Sequence, residues 1–233
     1  MVGTDACAAN LARRMDTMRY VVSVVLFLVG GFVFADEKLI EQVVTPYVEV
    51  RSDNGTGSGV VLLDKNGKTI VLTAKHVVDG SKVVKLYKRS DCDDMERAWL
   101  ADVEMVGEEA DLAIVRPRVT DGLMAAKFDR SVKLERGEDC WYIGTHSLIH
   151  ACLEKSTINR PQYRTESAYG GERSYTLVNG NGWYGNSGGP MFVMRGGDYY
   201  VVGIVVQLAA LNPRTPICAE RLEAIAEMLD KVK

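Results

Sequence analysis

"GWYGNSGGPMF", residues 182–192, gathers four glycines and a proline around Ser187. Glycine loses more conformational freedom on folding than any other residue, so this density needs a reason. One reading is an ordinary surface turn, where Asn, Ser, Gly and Pro also cluster. The other makes Ser187 a nucleophile, with Gly185, Gly188 and Gly189 opening main-chain conformations closed to other residues and letting a substrate come close. A neutral hydroxyl is a poor nucleophile. The second reading therefore demands a base within hydrogen-bond reach and a further group to orient that base.

The chain has three histidines, His76, His146 and His150. His76 lies in "VLTAKHVVDG", where an apolar run gives way to a turn, a place that holds an imidazole rigidly at a cleft edge. His146 and His150 fall in "GTHSLIH", which reads as a solvent-exposed loop. Among 31 Asp and Glu residues, Asp111 stands out because it opens the apolar run of "EEADLAIVRP". A carboxylate there is partly buried and needs a hydrogen-bonding partner. Accepting an imidazole N–H would fix the tautomer and stabilise the imidazolium formed in a reaction. The competing acids Glu108, Glu109, Asp79 and Asp102 are expected to face water.

The rest of the chain reads as β structure. Short runs rich in Val, Ile, Tyr and Leu ("YVEVR", "GVVLLDKNGKTIVLTA", "KVVKLYK", "ADLAIVRP", "CWYIG", "SYTLV", "MFVMRGGDYYVVGIVVQ") are separated by turn residues. "DKNGK" contains Asn-Gly, the strongest short-range hairpin signal, and "MRGGD" makes a second such turn. This spacing points to barrels or sandwiches rather than a parallel sheet. One helix is expected in "AERLEAIAEMLDKVK", with Leu222, Ile225, Ala226, Leu229 and Val232 on one face. "VTDGLMAAKFDRS" reads as a connector between two β halves.

At 233 residues the chain suits one large or two small domains, with 47% apolar and 25% charged residues. A net charge of −3 without a concentrated basic face gives no electrostatic case for nucleic acid. Val21 to Phe34 are apolar or small and follow Arg13, Arg14 and Arg19. This describes a secretory signal peptide cleaved near Ala35, Met15 or Met18 being alternative starts. The competing reading is an uncleaved membrane anchor, for which the stretch is short. Export would leave Cys92, Cys140, Cys152 and Cys218. A Cys140–Cys152 disulfide is the preferred pairing, free buried thiols the alternative. No pair has the C-x-x-C spacing of a zinc or redox site.

"TAKHVV", "DLAIV" and "GNSGGP", in that order and with spacings of 35 and 76 residues between His76, Asp111 and Ser187, resemble the His, Asp and Ser motifs of the trypsin/chymotrypsin-like serine proteases. The likeness is greatest to HtrA/Deg-type and related bacterial or viral members and covers about residues 40–230. "GTGSGVVL" (residues 55–62) resembles the Gly-Ser-Gly strand these proteins carry before the histidine motif, and "GEDCWYIGTH" the strand that begins their second barrel. The resemblance implies an all-β fold of two antiparallel six-stranded β-barrels with a C-terminal α-helix. The first barrel would span residues 36–118, the connector 119–130, and the second barrel with the helix 131–233, after an extension and signal peptide or anchor over 1–35.

The same likeness implies a serine endopeptidase acting on polypeptides without metal or organic cofactor. His76, Asp111 and Ser187 would be catalytic, and the N–H groups of Gly185 and Ser187 would form the oxyanion hole. Asn186 stands where digestive members carry the Asp that binds a newly cut N-terminus, so zymogen cleavage should not be required. No PDZ domain follows in this sequence. Asn181 stands where trypsin has its specificity acid, and with Tyr184, Gly203 and Val205 it marks a pocket for a small or hydrophobic side chain. "GNSGG" also satisfies G-x-S-x-G, the nucleophile elbow of α/β-hydrolases, but those enzymes need a histidine after the serine and none follows here. The competing function is a catalytically inactive binding protein on the same fold, with Trp183 and Tyr184 blocking the cleft.

Overall fold

The hairpin signalled by Asn-Gly forms as expected: strand β2 (Gly55–Leu63) turns into β3 (Thr69–Thr73) through Gly67 at φ +75°. Asp64 sets the turn, its Oδ1 accepting the N–H groups of Asn66 at 2.8 Å and Lys68 at 2.9 Å. Around this hairpin the remaining strands of the first half assemble: β1 (Tyr47–Ser52), β4 (Val83–Tyr87), β5 (Trp99–Val106) and β6 (Ala113–Pro117). They close a barrel in the order β1-β2-β3-β6-β5-β4. Both faces of its strands are buried: Val50 and Leu86 lie on one, Val60, Leu72 and Ile114 on the other, all fully enclosed. Each such burial stabilises by about 1.5–3 kcal/mol. This computed structural model describes residues 37–88, 98–146, 149–167, 170–180, 182–208 and 216–232.

The second half builds a seven-stranded sheet from β7 (Lys127–Phe128), β8 (Asp139–His146), β9 (Ile149–Glu166), β10 (Glu172–Asn179), β11 (Pro190–Arg195), β12 (Asp198–Leu208) and β13 (Ile217–Arg221). Its order is β11-β8-β9-β10-β13-β12-β7, and a further β11–β12 pairing curls the sheet back toward its start. The joint between β11 and β8 is only two residue pairs wide, Met191 with Tyr142 and Phe192 with Trp141.

Several expectations are corrected. The segment expected to be only a connector adds β7 to the six strands implied, pairing in parallel with β12 through Tyr200 and Val201. The C-terminal helix α2 (Leu222–Lys231) starts later than the apolar period suggests. Ala219, Glu220 and Arg221 belong instead to β13, held by β12 on one side and, for Ala219 and Glu220, by β10 on the other. His146 and His150, expected in a loop, belong to strands: His146 ends β8 and pairs with Ile149 at the start of β9, which also holds His150, and residues 147–148 lie outside the described residues.

The Cys140–Cys152 disulfide does not form. In the β8–β9 register Cys140 faces Ser156 and Cys152 faces Gly144. Four residue steps therefore separate the two thiols, roughly 13 Å along the strands, well beyond the span of a disulfide. Residues 1–36, with the expected signal peptide or anchor and Cys7, lie outside the described residues, as does Cys92. Among the described residues no helix is long and apolar enough to cross a membrane.

Candidate active site

His76 sits on α1 (Lys75–Val78), a single helical turn entered directly from β3 and anchored by the buried Val77 and Val78. Asp111 lies just before β6, the strand that pairs with β3, so the sheet itself brings the two together. Main chain fixes them first: Lys75 N–H donates to the Asp111 carbonyl at 3.2 Å. The carboxylate then accepts twice from His76, Oδ1 from the backbone N–H at 3.1 Å and Oδ2 from Nδ1 at 2.7 Å. A carboxylate accepts only from a protonated Nδ1, which leaves Nε2 as the basic nitrogen. Asp111 is 4% exposed. Glu108, Glu109, Asp79 and Asp102 face water as expected, Asp102 in an exposed pair with Arg118.

Ser187 arrives from the other half, on a loop between β10 and β11. Gly185 and Gly188 take φ +100° and +85°, values that any residue with a Cβ resists. Space forbids a side chain as well: a Cβ on Gly185 would lie 2.6 Å from the Thr145 carbonyl, and one on Gly188 would overlap the Ser58 carbonyl. The same Gly188 Cβ would come within 3.0 Å of the Ala74 nitrogen, two residues before His76. The serine loop thus docks against the very segment that carries the histidine. No hydrogen bond joins the His76 ring to the Ser187 hydroxyl among the described residues.

The main-chain N–H groups of the loop divide sharply. Asn186 N–H donates to the Trp183 carbonyl at 3.2 Å, Gly188 to Val205 at 2.7 Å and Gly189 to Asn186 at 2.8 Å. Those of Gly185 and Ser187 have no protein acceptor among the described residues. Two unspent donors flanking a serine suit a developing negative charge.

Of the expected pocket residues, Tyr184 is 85% exposed beside the loop, with Trp183 at 39%. Val205 packs in a core cluster, and its main chain bonds to Gly188 and Gly189. Gly203 is enclosed, its hydrogen side facing Met191 and Ala219. Asn181 lies outside the described residues. No group of three or more metal-ligating side chains occurs among the described residues.

Two residues escaped the sequence reading. Glu220 on β13 is buried, and its Oε1 accepts the Asp111 N–H at 2.8 Å. Burial pushes its carboxyl above the usual range; the Asp111 bond and Arg173 pull it down, and the Asp111 charge pushes it up. Ser58, within the Gly-Ser-Gly strand, touches the serine loop directly through an N–H···O bond of 2.8 Å to Ser187. Neither role has a sequence signal, since both partners are remote in the chain.

Solved structures share this architecture. The protease Rv3671c from M. tuberculosis H37Rv, a serine-to-alanine mutant in an inactive form, superimposes with a TM-score of 0.67 at 20% identity, covering 84% of this chain and 91% of that one. The HtrA-type protease AlgW with a decapeptide gives 0.67 at 16% identity, over 83% and 66%. The MamO protease domain from Magnetospirillum magneticum gives 0.65 at 16%, over 82% and 98%. No curated protein matches the sequence. The model of the trypsin-like peptidase domain matches residues 57–204, more than half of the chain, and the protein belongs to that family of serine endopeptidases.

Proposed function

We propose that the protein hydrolyses peptide bonds through an acyl-enzyme formed on Ser187. The Ser187 hydroxyl attacks the substrate carbonyl carbon while His76 Nε2 takes its proton. Asp111 holds the ring and stabilises the imidazolium. The N–H groups of Gly185 and Ser187 bind the oxyanion, each worth roughly 3 kcal/mol in comparable sites. The C–N bond then breaks as His76 returns the proton to the leaving amine. Water repeats the cycle on the ester and frees the acid. The Nε2–Oγ hydrogen bond closes as substrate binds, as catalytic bonds do in many apo enzymes.

One observation carries this reading: the His76–Asp111 pair lies where the serine loop docks, and that loop leaves two N–H groups unspent. The decapeptide on AlgW supports a polypeptide as the substrate. The charged start and apolar run of residues 13–34 support export.

A fluorophosphonate probe tests the mechanism. The probe is expected to label wild type, and labelling should disappear in Ser187→Ala. A folded wild type that takes no label makes the chain a binding protein on a protease fold.

A further inference from the structure

Ser58 is wholly enclosed in β2, at 0% exposure, yet all its polar groups are used. Its carbonyl accepts the Thr73 hydroxyl at 2.6 Å. Its hydroxyl accepts the Thr145 N–H at 2.9 Å, so its single proton is free to go to the Gly185 carbonyl, 2.8 Å away. Its own N–H donates to the Ser187 carbonyl at 2.8 Å. One side chain and its amide therefore hold the carbonyls of both residues whose N–H groups lack an acceptor.

We infer that Ser58 is the positioning residue of the oxyanion hole, fixing the main chain of Gly185 and Ser187 so that their N–H groups stay available to the substrate. The inference rests on the acyl-enzyme reading above. A glycine at φ +100° has no side chain to resist rotation of the flanking peptide planes. The Ser58 hydroxyl supplies that resistance from outside, by clamping the Gly185 carbonyl. Its acceptor side is equally fixed, because Thr145 is itself held. The Thr145 hydroxyl lies 2.5 Å from the Tyr47 hydroxyl and donates to the buried Glu49 at 3.4 Å, and Glu49 pairs with Arg51. Strands β1, β2 and β8 thus form a clamp from both halves of the molecule. Deleting the hydroxyl orphans a buried N–H and a carbonyl at once and frees the Gly185–Asn186 peptide plane, which lets the Gly185 backbone, and with it the N–H in the preceding plane, rotate. Ser58 touches no reacting atom, so its effect falls on the chemical step rather than on binding.

Fluorophosphonate labelling over a range of probe concentrations reads this directly. As the Ser187 Oγ–P bond forms, the P–F bond breaks, fluoride leaves and the hydroxyl proton passes to His76, with the phosphoryl oxygen in the oxyanion position. Removing one oxyanion donor outright costs on the order of 10²–10³ in rate, so loosening one is expected to cost about tenfold. Ser58→Ala should lower the maximal labelling rate by that factor and leave the half-saturating concentration unchanged. Ser58→Cys keeps the volume but has a weak donor, and should fall between Ala and wild type with an unchanged melting curve. If the Ala variant does not fold, the Cys variant decides alone. A folded variant labelled at the wild-type rate overturns the inference and leaves the acyl-enzyme reading intact; an unlabelled wild type removes both.

Discussion

Asp111 shows how much one carboxylate decides. It takes both the ring and the backbone N–H of His76, at 2.7 and 3.1 Å. In Asp111→Asn an amide can present its oxygen to only one of these, and an NH2 facing Nδ1 favours the tautomer with the proton on Nε2. That ring has no basic nitrogen facing Ser187. Turnover should fall about 10³–10⁴-fold, with KM little changed. A peptide-substrate assay checks it, and a loss under tenfold would mean that Asp111 does not set the tautomer. Replacing Asp111 spares its backbone, so the bonds to Lys75 and Glu220 persist and the variant should fold.

Among the elements, the β8–β9 hairpin shows register overruling composition. Two cysteines 12 positions apart would suit a bridge in an exported protein, but the antiparallel β8–β9 pairing leaves them four steps out of register. Cys140 is instead a core thiol, pushed up to about 12 by burial, with Glu138 and Asp139 adding to the effect. Cys218 on β13 rises to about 11 through burial, partly offset by a hydrogen bond from Gln207. At pH 8 the thiolate fraction of either is on the order of 10⁻³ or less. Iodoacetamide should leave both untouched in the native protein and modify both in urea, as peptide mass mapping will show. Native-state alkylation of Cys140 would place that thiol outside the core.

At the scale of the whole molecule, Glu220 ties the halves together, reaching from β13 to the Asp111 N–H in front of β6. Its carboxyl is raised chiefly by burial, so the folded protein binds that proton more tightly than the unfolded chain does. The resulting stability is complete below the ordinary Glu value and is lost as pH rises through the folded value. Near neutrality the buried charge is a cost. Glu220→Gln keeps an oxygen for the Asp111 N–H and removes the charge. Its melting temperature should exceed that of wild type at pH 7.5, with the advantage shrinking toward pH 4. A gain equal at both pH values would show that ionisation of Glu220 plays no part.

The strands with dense apolar runs, the Asn-Gly hairpin and the three motifs around His76, Asp111 and Ser187 were legible in the order of residues alone, because short-range chemistry sets hairpins, turns and glycine-dependent loops. The sequence was silent on β5 ("WLADVEMV") and on the long, largely polar β9 ("IHACLEKSTINRPQYRTE"), and it gave Ala219–Arg221 of β13 to the helix. Those segments are strands because neighbours supply their hydrogen bonds and cover one face, a context no local propensity contains. That Ser58 grips the serine loop, that Glu220 backs Asp111 and that Cys140 stays apart from Cys152 emerged from the folded chain alone. Each depends on bringing together residues distant in the chain, and the closing of one barrel against a second curled sheet is what sets those distances.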